Sequence, residues 1–303
     1  MTTSQLYSLL TADPASVLEH DRRIYQQQIN RAVELAAACA AQRPVLLLAG
    51  PSGSGKTTTA LLIERELDRR GVETHTLSMD NYFSPLSERE KELLQRNELD
   101  LERPTRVDVP FFRQQLDAIL RGEEIALPRF DFQESRRVFD GRTLRRRPGE
   151  LILMEGIHAL NPDVTGHDED TTRIYVSVRT RITAKSGLVL HPAKIRLLRR
   201  MLRDKLCRGR AFSQTVGNCA RVDHGEQNYI MPFKPRAHCS IDSFYSAELS
   251  VYRACLASAP EALDFPELCD LAEVLRELPE VDPALVPQDS LLREFIGGST
   301  FDY

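Results

Sequence analysis

The sequence contains no CxxC pair, and its six cysteines (Cys39, Cys207, Cys219, Cys239, Cys255 and Cys269) lie far apart. That spacing excludes a compact zinc site, and a disulfide framework does not suit a chain of 303 residues. No apolar run approaches the ~18 residues that a membrane span needs. The opening MTTSQLYSLL lacks the basic start and apolar core of a secretion signal, so a cytoplasmic protein with no membrane partner is expected. Neither sign of charge dominates. With 40 basic against 44 acidic side chains the net charge is −4, which gives no global attraction to nucleic acid. Internal repeats and low-complexity segments are also missing.

What is present reads as α/β. Residues 21–41 form an amphipathic helical pattern with Ile24, Ile29, Val33 and Leu35 near one stripe, broken by Arg43-Pro44. VLLLA at 45–49 is a continuous apolar run, the pattern of a strand buried on both faces of a parallel sheet. A glycine-rich turn at 50–55 leads into a helix over 56–70, stopped by Gly71, and a second strand is expected at 74–77. Strand, loop, helix, strand is a βαβ unit. Further strands are expected at 151–154, 174–178 and 240–244, and helices at 108–120 and 191–208. Residues 125–149 read as a hairpin turning at Asp140-Gly141. The sequence predicts an N-terminal helical segment (1–40), a central domain (41–258) and an acidic, helical C-terminal segment (259–303).

Residues 50–57, Gly-Pro-Ser-Gly-Ser-Gly-Lys-Thr, match GxxxxGK[ST] in full, between a buried strand and a helix. Glycines let successive N–H groups turn inward as an anion nest, and the helix N-terminus adds partial positive charge. Gly50, Ser52, Gly53, Ser54, Gly55, Lys56, Thr57 and Thr58 are therefore the candidate triphosphate contacts. Lys56 is placed on the β- and γ-phosphates and Thr57 on Mg2+. Three absences narrow the reaction. There is no NKxD guanine signature, no strand ending in Asp-Glu, and no ABC-type signature. A P-loop kinase with a small second substrate remains.

Such a kinase needs positioning, charge neutralisation and a base for the attacking hydroxyl. Asp80 follows the second strand and is suited to be that base, although a turn aspartate would look the same. Glu155 closes the strand LILME and can hold a Mg2+-bound water; a solvated strand-end carboxylate is the plain alternative. Arg196, Arg199, Arg200 and Arg203, with Arg208 and Arg210 beyond, suit a mobile basic helix closing over phosphate, or simply a solvated face. The basic run 136–147 reads as a solvated hairpin. His158 and His191 read as structural, and His20, His75, His167, His224 and His238 form no constellation.

GPSGSGKTT (50–58), LSMDNYF (77–83), PRFDF (128–132), LILMEGIHALNP (151–162) and RRMLRDKLCRGR (199–210), in this order, resemble the uridine kinase/phosphoribulokinase family. GEQNYIMPF (225–233) and LLREFIGGSTFDY (291–303) resemble its bacterial uridine kinase-like branch, whose longer members carry a further N-terminal domain not found in this sequence. The resemblance implies a P-loop fold with a β-hairpin acceptor insertion and a helical lid. It also implies MgATP-dependent phosphorylation of a 5′-hydroxyl. Asp80 then corresponds to the general base, Lys56 and Thr57 to the phosphate and Mg2+ residues, and Glu155 to the Mg2+-associated glutamate. Arg203 and Arg208 correspond to lid arginines, Arg203 serving catalysis. Tyr82, Asp100 and Arg200 fall on the acceptor side.

Two positions depart from the family. Where its pyrimidine kinases carry a base-reading tyrosine and histidine, this sequence has Phe130 and Ser135. Phe130 and Phe132 are left to sandwich a base by stacking, without reading its polar edge. The expected acceptor is a nucleoside such as uridine or cytidine. The alternatives are another nucleoside, a pentose phosphate, or a nucleotide-sensing protein without transfer; self-association is left open.

Overall fold

The computed structural model describes residues 1–96, 98–132, 134–166 and 169–302. His167 and Tyr303, both read above, lie outside them.

Two helices lead the chain, α1 (Thr3–Ala12) and α2 (Pro14–Cys39). Both lie in the segment 1–40 expected to be helical, and α2 starts earlier than the expected residue 21. The junction signal is Asp13, whose carboxylate accepts the Ser16 N–H at 3.0 Å while Pro14 fills the first helical position. Next come β1 (Val45–Ala49), α3 (Lys56–Arg69), β2 (Thr74–Ser78) and the short α4 (Glu88–Gln95). After α5 (Val109–Arg121) the hairpin β3 (Glu124–Asp131) and β4 (Arg136–Arg145) precedes β5 (Leu151–Glu155). The single turn α6 (Pro162–Thr165), β6 (Thr171–Ser177) and the small pair β7 (Ile182–Thr183) and β8 (Val189–Leu190) lead to α7 (Pro192–Arg208). Two short helices, α8 (Phe212–Gly217) and α9 (Cys219–Gly225), run into a π-turn at Glu226–Ile230. The chain closes with β9 (Cys239–Asp242), α10 (Glu248–Leu256), α11 (Cys269–Arg276) and α12 (Arg293–Ile296).

The main sheet has the order β2-β5-β1-β6-β9 with every pairing parallel. Its strands alternate between two cores, as the period of two requires. Leu46, Leu48, Leu151, Leu153, Ile174 and Val176 face helices α1, α2, α3, α7, α10 and α11. Val45, Leu47, Ile152, Met154 and Tyr175 face the other way, onto α5, the base of the hairpin and the turn after β2. Each such side chain contributes about 1.5–3 kcal/mol of burial.

Three expectations are corrected here. Asp140-Gly141 is not the hairpin turn. It lies inside β4, at a register shift opposite Ala126 and Pro128, with Gly141 at φ +87°. Pro128 has no N–H to offer a regular ladder, so the extra residues bulge there and the two strands stay paired as far as Asp131 and Arg136. The hairpin is not uniformly solvated either. Arg137 donates to Asp108 Oδ2 at 3.1 Å and to the Phe83 carbonyl at 3.2 Å. Finally, residues 259–302 are less helical than expected, built largely from 3-10 turns at Pro260–Leu263, Pro266–Leu268 and Pro283–Leu285 around α11 and α12.

Candidate active site

Three strand ends converge. Glu155, the last residue of β5, pairs with Leu48 of β1 on one side and Ser78 of β2 on the other. The loop leaving β1 and the turn leaving β2 therefore emerge from the same edge of the sheet, where ligands of open parallel sheets bind.

The loop 50–55 is shaped for close approach. Gly53 and Gly55 take φ of +75° and +83°, and a Cβ on Gly53 would come within 2.8 Å of the Arg196 carbonyl oxygen. Ser54 Oγ is buried without a hydrogen-bond partner, an orphaned donor of the kind that an anion in the loop satisfies. Lys56 is half-buried and curls back so that Nζ lies 3.4 Å from the Pro51 carbonyl oxygen. Ser52 and Thr57 are half-buried beside it, and Gly50 lies under β6. A triphosphate fits this donor set, and Thr57 with Glu155 offers the oxygen ligands that Mg2+ prefers. Thr58 differs from expectation. Its hydroxyl donates to Glu294 Oε2 at 2.6 Å and its N–H to the same oxygen at 3.4 Å.

Asp80 stands in the 3-10 turn Met79–Tyr82. Ser78 is that turn's cap, its Oγ accepting the Asp80 N–H at 3.4 Å, so the Asp80 carboxylate is not spent on capping. Asp80 is exposed to solvent. Desolvation by the protein around it raises its carboxyl above the usual range, while Lys56, Arg208 and Arg203 pull it back down. Glu155 is buried, and desolvation pushes it to about 7 against Lys56, with the Asp80 charge adding to the rise. Gly156 follows because a Cβ there would sit 2.7 Å from Met79 Cβ.

The helix α7 is no free flap. Ile195, Leu198 and Met201 are fully buried in it. Arg199 has 0% exposure, pairs with Glu248 at 2.8 Å and donates to Gly53 O and Ser243 O, a structural role. Arg203, one turn on, reaches Glu294 Oε1 at 3.4 Å and keeps its Nε unpartnered. Arg208, half exposed, pairs with Asp204 at 3.1 Å. Arg200 is buried against Gly53, and desolvation lowers its guanidinium although Glu102 opposes that. Arg196 is taken by Glu226.

The acceptor side brings the main corrections. Asp100 is committed to its own loop, accepting the Glu102 N–H at 3.0 Å and pairing with Arg103 at 3.4 Å. The carboxylate that faces the site is Glu102, which the sequence reading missed. Desolvation raises it to about 7; Arg200 and Lys56 oppose the rise and Asp80 adds to it, and its Oε2 has no partner. Asp100 and Glu102 lie two residues apart in a loop, and nothing local tells which one turns inward. Tyr82 is core rather than contact: it is buried against Phe112 with its hydroxyl donated to Gln115 at 3.0 Å. Phe130 and Phe132 do not form a sandwich. Their centroids lie 5.2 Å apart at 70°, edge to face, leaving no slot for a flat ring between them. Phe130 is 6% exposed and Phe132 65%, with Phe83 completing the cluster. Ser135 Oγ accepts the Leu86 N–H at 3.1 Å. His158 is buried with neither ring nitrogen hydrogen-bonded, amid backbone groups of Glu102, Arg103 and Tyr229; burial lowers it to about 4, so the ring is neutral. His191 caps α7 through the Ala193 N–H.

Among the described residues no helix is long and apolar enough to cross a membrane. The chain is 31% identical over 192 residues to the uridine kinase of Halobacterium salinarum, covering 63% of this chain and 76% of that one. With the uridine kinase of Deinococcus deserti the identity is 33% over 175 residues, 57% of this chain and 75% of the relative. With that of Staphylococcus epidermidis it is 28% over 213 residues, 69% and 92%. Residues 45–250, from the first residue of β1 into α10, match the phosphoribulokinase / uridine kinase family, and the chain belongs to that family of P-loop kinases.

Proposed function

We propose that this protein transfers the terminal phosphoryl group of ATP to the 5′-hydroxyl of a nucleoside, with uridine or cytidine as acceptor. What supports the reading is the Asp80 carboxylate lying within electrostatic reach of Lys56, Arg208 and Arg203, at the sheet edge from which the phosphate loop leaves β1. Asp80 takes the proton of the attacking hydroxyl as its oxygen bonds to the γ-phosphorus, and the bond from that phosphorus to the bridging oxygen of ADP breaks. Lys56 and the inward N–H groups hold the phosphates in line, and Arg203 with Arg208 offsets the charge that develops. Thr57 and Glu155 are the residues that would hold Mg2+, which supplies further charge neutralisation when bound. Arg200 and Glu102 offer a donor and an acceptor for the sugar hydroxyls.

A second reading, in which another nucleoside or a pentose phosphate is the acceptor, is favoured by one feature. Phe130 carries no polar atom and the Ser135 hydroxyl already accepts the Leu86 N–H, so neither reads a base edge strongly. ADP release measured against a panel of nucleosides and pentose phosphates decides between them. Uridine or cytidine is expected to give the highest rate. Release that no acceptor raises above the solvent background ends the kinase reading and leaves a nucleotide-sensing protein.

A further inference from the structure

The C-terminal segment packs closely on the phosphate loop, and nothing in the reaction above uses it. Leu291 is fully buried against Gly55, where a Cβ would come within 2.5 Å of its Cδ1. Three residues later Glu294, 6% exposed, points its carboxylate at the first turn of α3. Oε2 takes both the hydroxyl and the N–H of Thr58, and Oε1 takes Arg203. Leu292 and Phe295 on either side are buried, and α12 packs along α7.

These partners are the ones a nucleotide uses. The loop's N–H groups suit phosphates in sequence, and Thr58 is the next donor along the first turn of α3. A carboxylate there is an anion in an anion site. Its charge lies close enough to raise Glu155 as well. Arg203 engages Glu294 through one Nη at 3.4 Å and would have to share its charge between Glu294 and a phosphate oxygen, and two anions sharing Thr58 would repel at short range in a poorly solvated place.

We propose that Glu294 is a built-in anion that the triphosphate displaces, so that nucleotide entry exchanges carboxylate for phosphate at Thr58 and frees Arg203 for the transferring group. The proposal rests on the reading that loop 50–57 holds a triphosphate, and adds a conformational step to it. Apparent affinity is then the intrinsic affinity multiplied by the fraction of molecules with the latch open. An open fraction of about one in ten weakens binding about tenfold.

The test is titration of wild type and Glu294→Gln with MgATP in the absence of acceptor, together with backbone hydrogen exchange of wild type with and without MgATP. The glutamine keeps shape and hydrogen-bonding capacity but lacks the competing charge. Glu294→Gln is expected to bind MgATP at least about fivefold more tightly. In wild type MgATP is expected to speed exchange of the Glu294 and Phe295 N–H groups, which donate to Leu291 and Leu292. An unchanged or weaker affinity in the variant overturns the latch, and so does exchange in wild type that is unchanged or slower, which would make the segment a fixed wall of the site. Failure of both proteins to bind MgATP sinks the triphosphate reading itself and the latch with it.

Discussion

The two halves of the cleft are built differently. On the nucleotide half the geometry is written in the local chain: glycines at positive φ, a helix N-terminus, and side chains within eight consecutive residues. The acceptor half is assembled from segments far apart. Glu102 comes from the loop before α5, His158 from the turn after β5, the phenylalanines from the hairpin and the turn after β2, and Arg200 from α7. Oε2 of Glu102 is left without a partner. The first half specifies the reaction through backbone shape. On the proposed reading the second half meets the acceptor, and its unsatisfied Glu102 oxygen is available to one of that acceptor's polar atoms.

The comparison is sharpest along α7, where arginines one turn apart fall on opposite sides of it. Arg199→Met strands Glu248 as a buried, unpaired charge, and about 3–5 kcal/mol of stability should be lost, read by urea unfolding. Arg203→Met should cost less stability than Arg199→Met, because Arg203 is partly exposed and Glu294 keeps Thr58 as a partner, while cutting turnover. Comparable destabilisation by both would erase the distinction between frame and site.

If Asp80 is the base of the proposed reaction, Asp80→Asn should lower turnover about 10²-fold or more while MgATP affinity stays within about threefold, because a base acts in the acceptor step. An equal loss of nucleotide affinity would make Asp80 part of the nucleotide half.

Glu102 and Glu155 give a pH signature. Both are raised from 4.5 to about 7 in the fold, so the folded protein holds protons that the unfolded chain releases. Their contribution is full below pH 4.5 and is lost as pH rises through about 7. The unfolding midpoint of the free protein should fall by roughly 5 °C or more between pH 5 and 8. Glu102→Gln should flatten that fall and raise the KM for the acceptor more than that for ATP. An unaltered slope would show that Glu102 is ionised throughout.

Phe132→Ala is the smallest change. At 65% exposure it should cost under about 0.5 kcal/mol of stability, whereas Phe130→Ala should cost about 3 kcal/mol or more. A raised acceptor KM in Phe132→Ala would mark its ring as a contact made only when the acceptor is bound.

Much of the frame was legible without coordinates. VLLLA at 45–49 is the observed β1, the helix after Lys56 ends one residue from its expected stop, and LILM became β5 with Glu155 added. These segments have apolar periods or glycine stops strong enough to override context. The hairpin reading failed because Asp-Gly suits a bulge as well as a turn, and Pro128, on the other strand, decided between them. The Phe130–Phe132 sandwich failed because residue type says nothing of ring angle.

The sequence by itself determined the phosphate loop and the parallel sheet beneath it, because both depend on residues that are neighbours in the chain or that repeat with a fixed period. Only the tertiary structure decided that Glu102 rather than Asp100 faces the site, that Arg199 is frame while Arg203 is not, and that Glu294 returns from the far end of the chain to Thr58. Those choices depend on burial and on charge pairing across distant segments. Burial and pairing of that kind exist only after the chain has closed on itself.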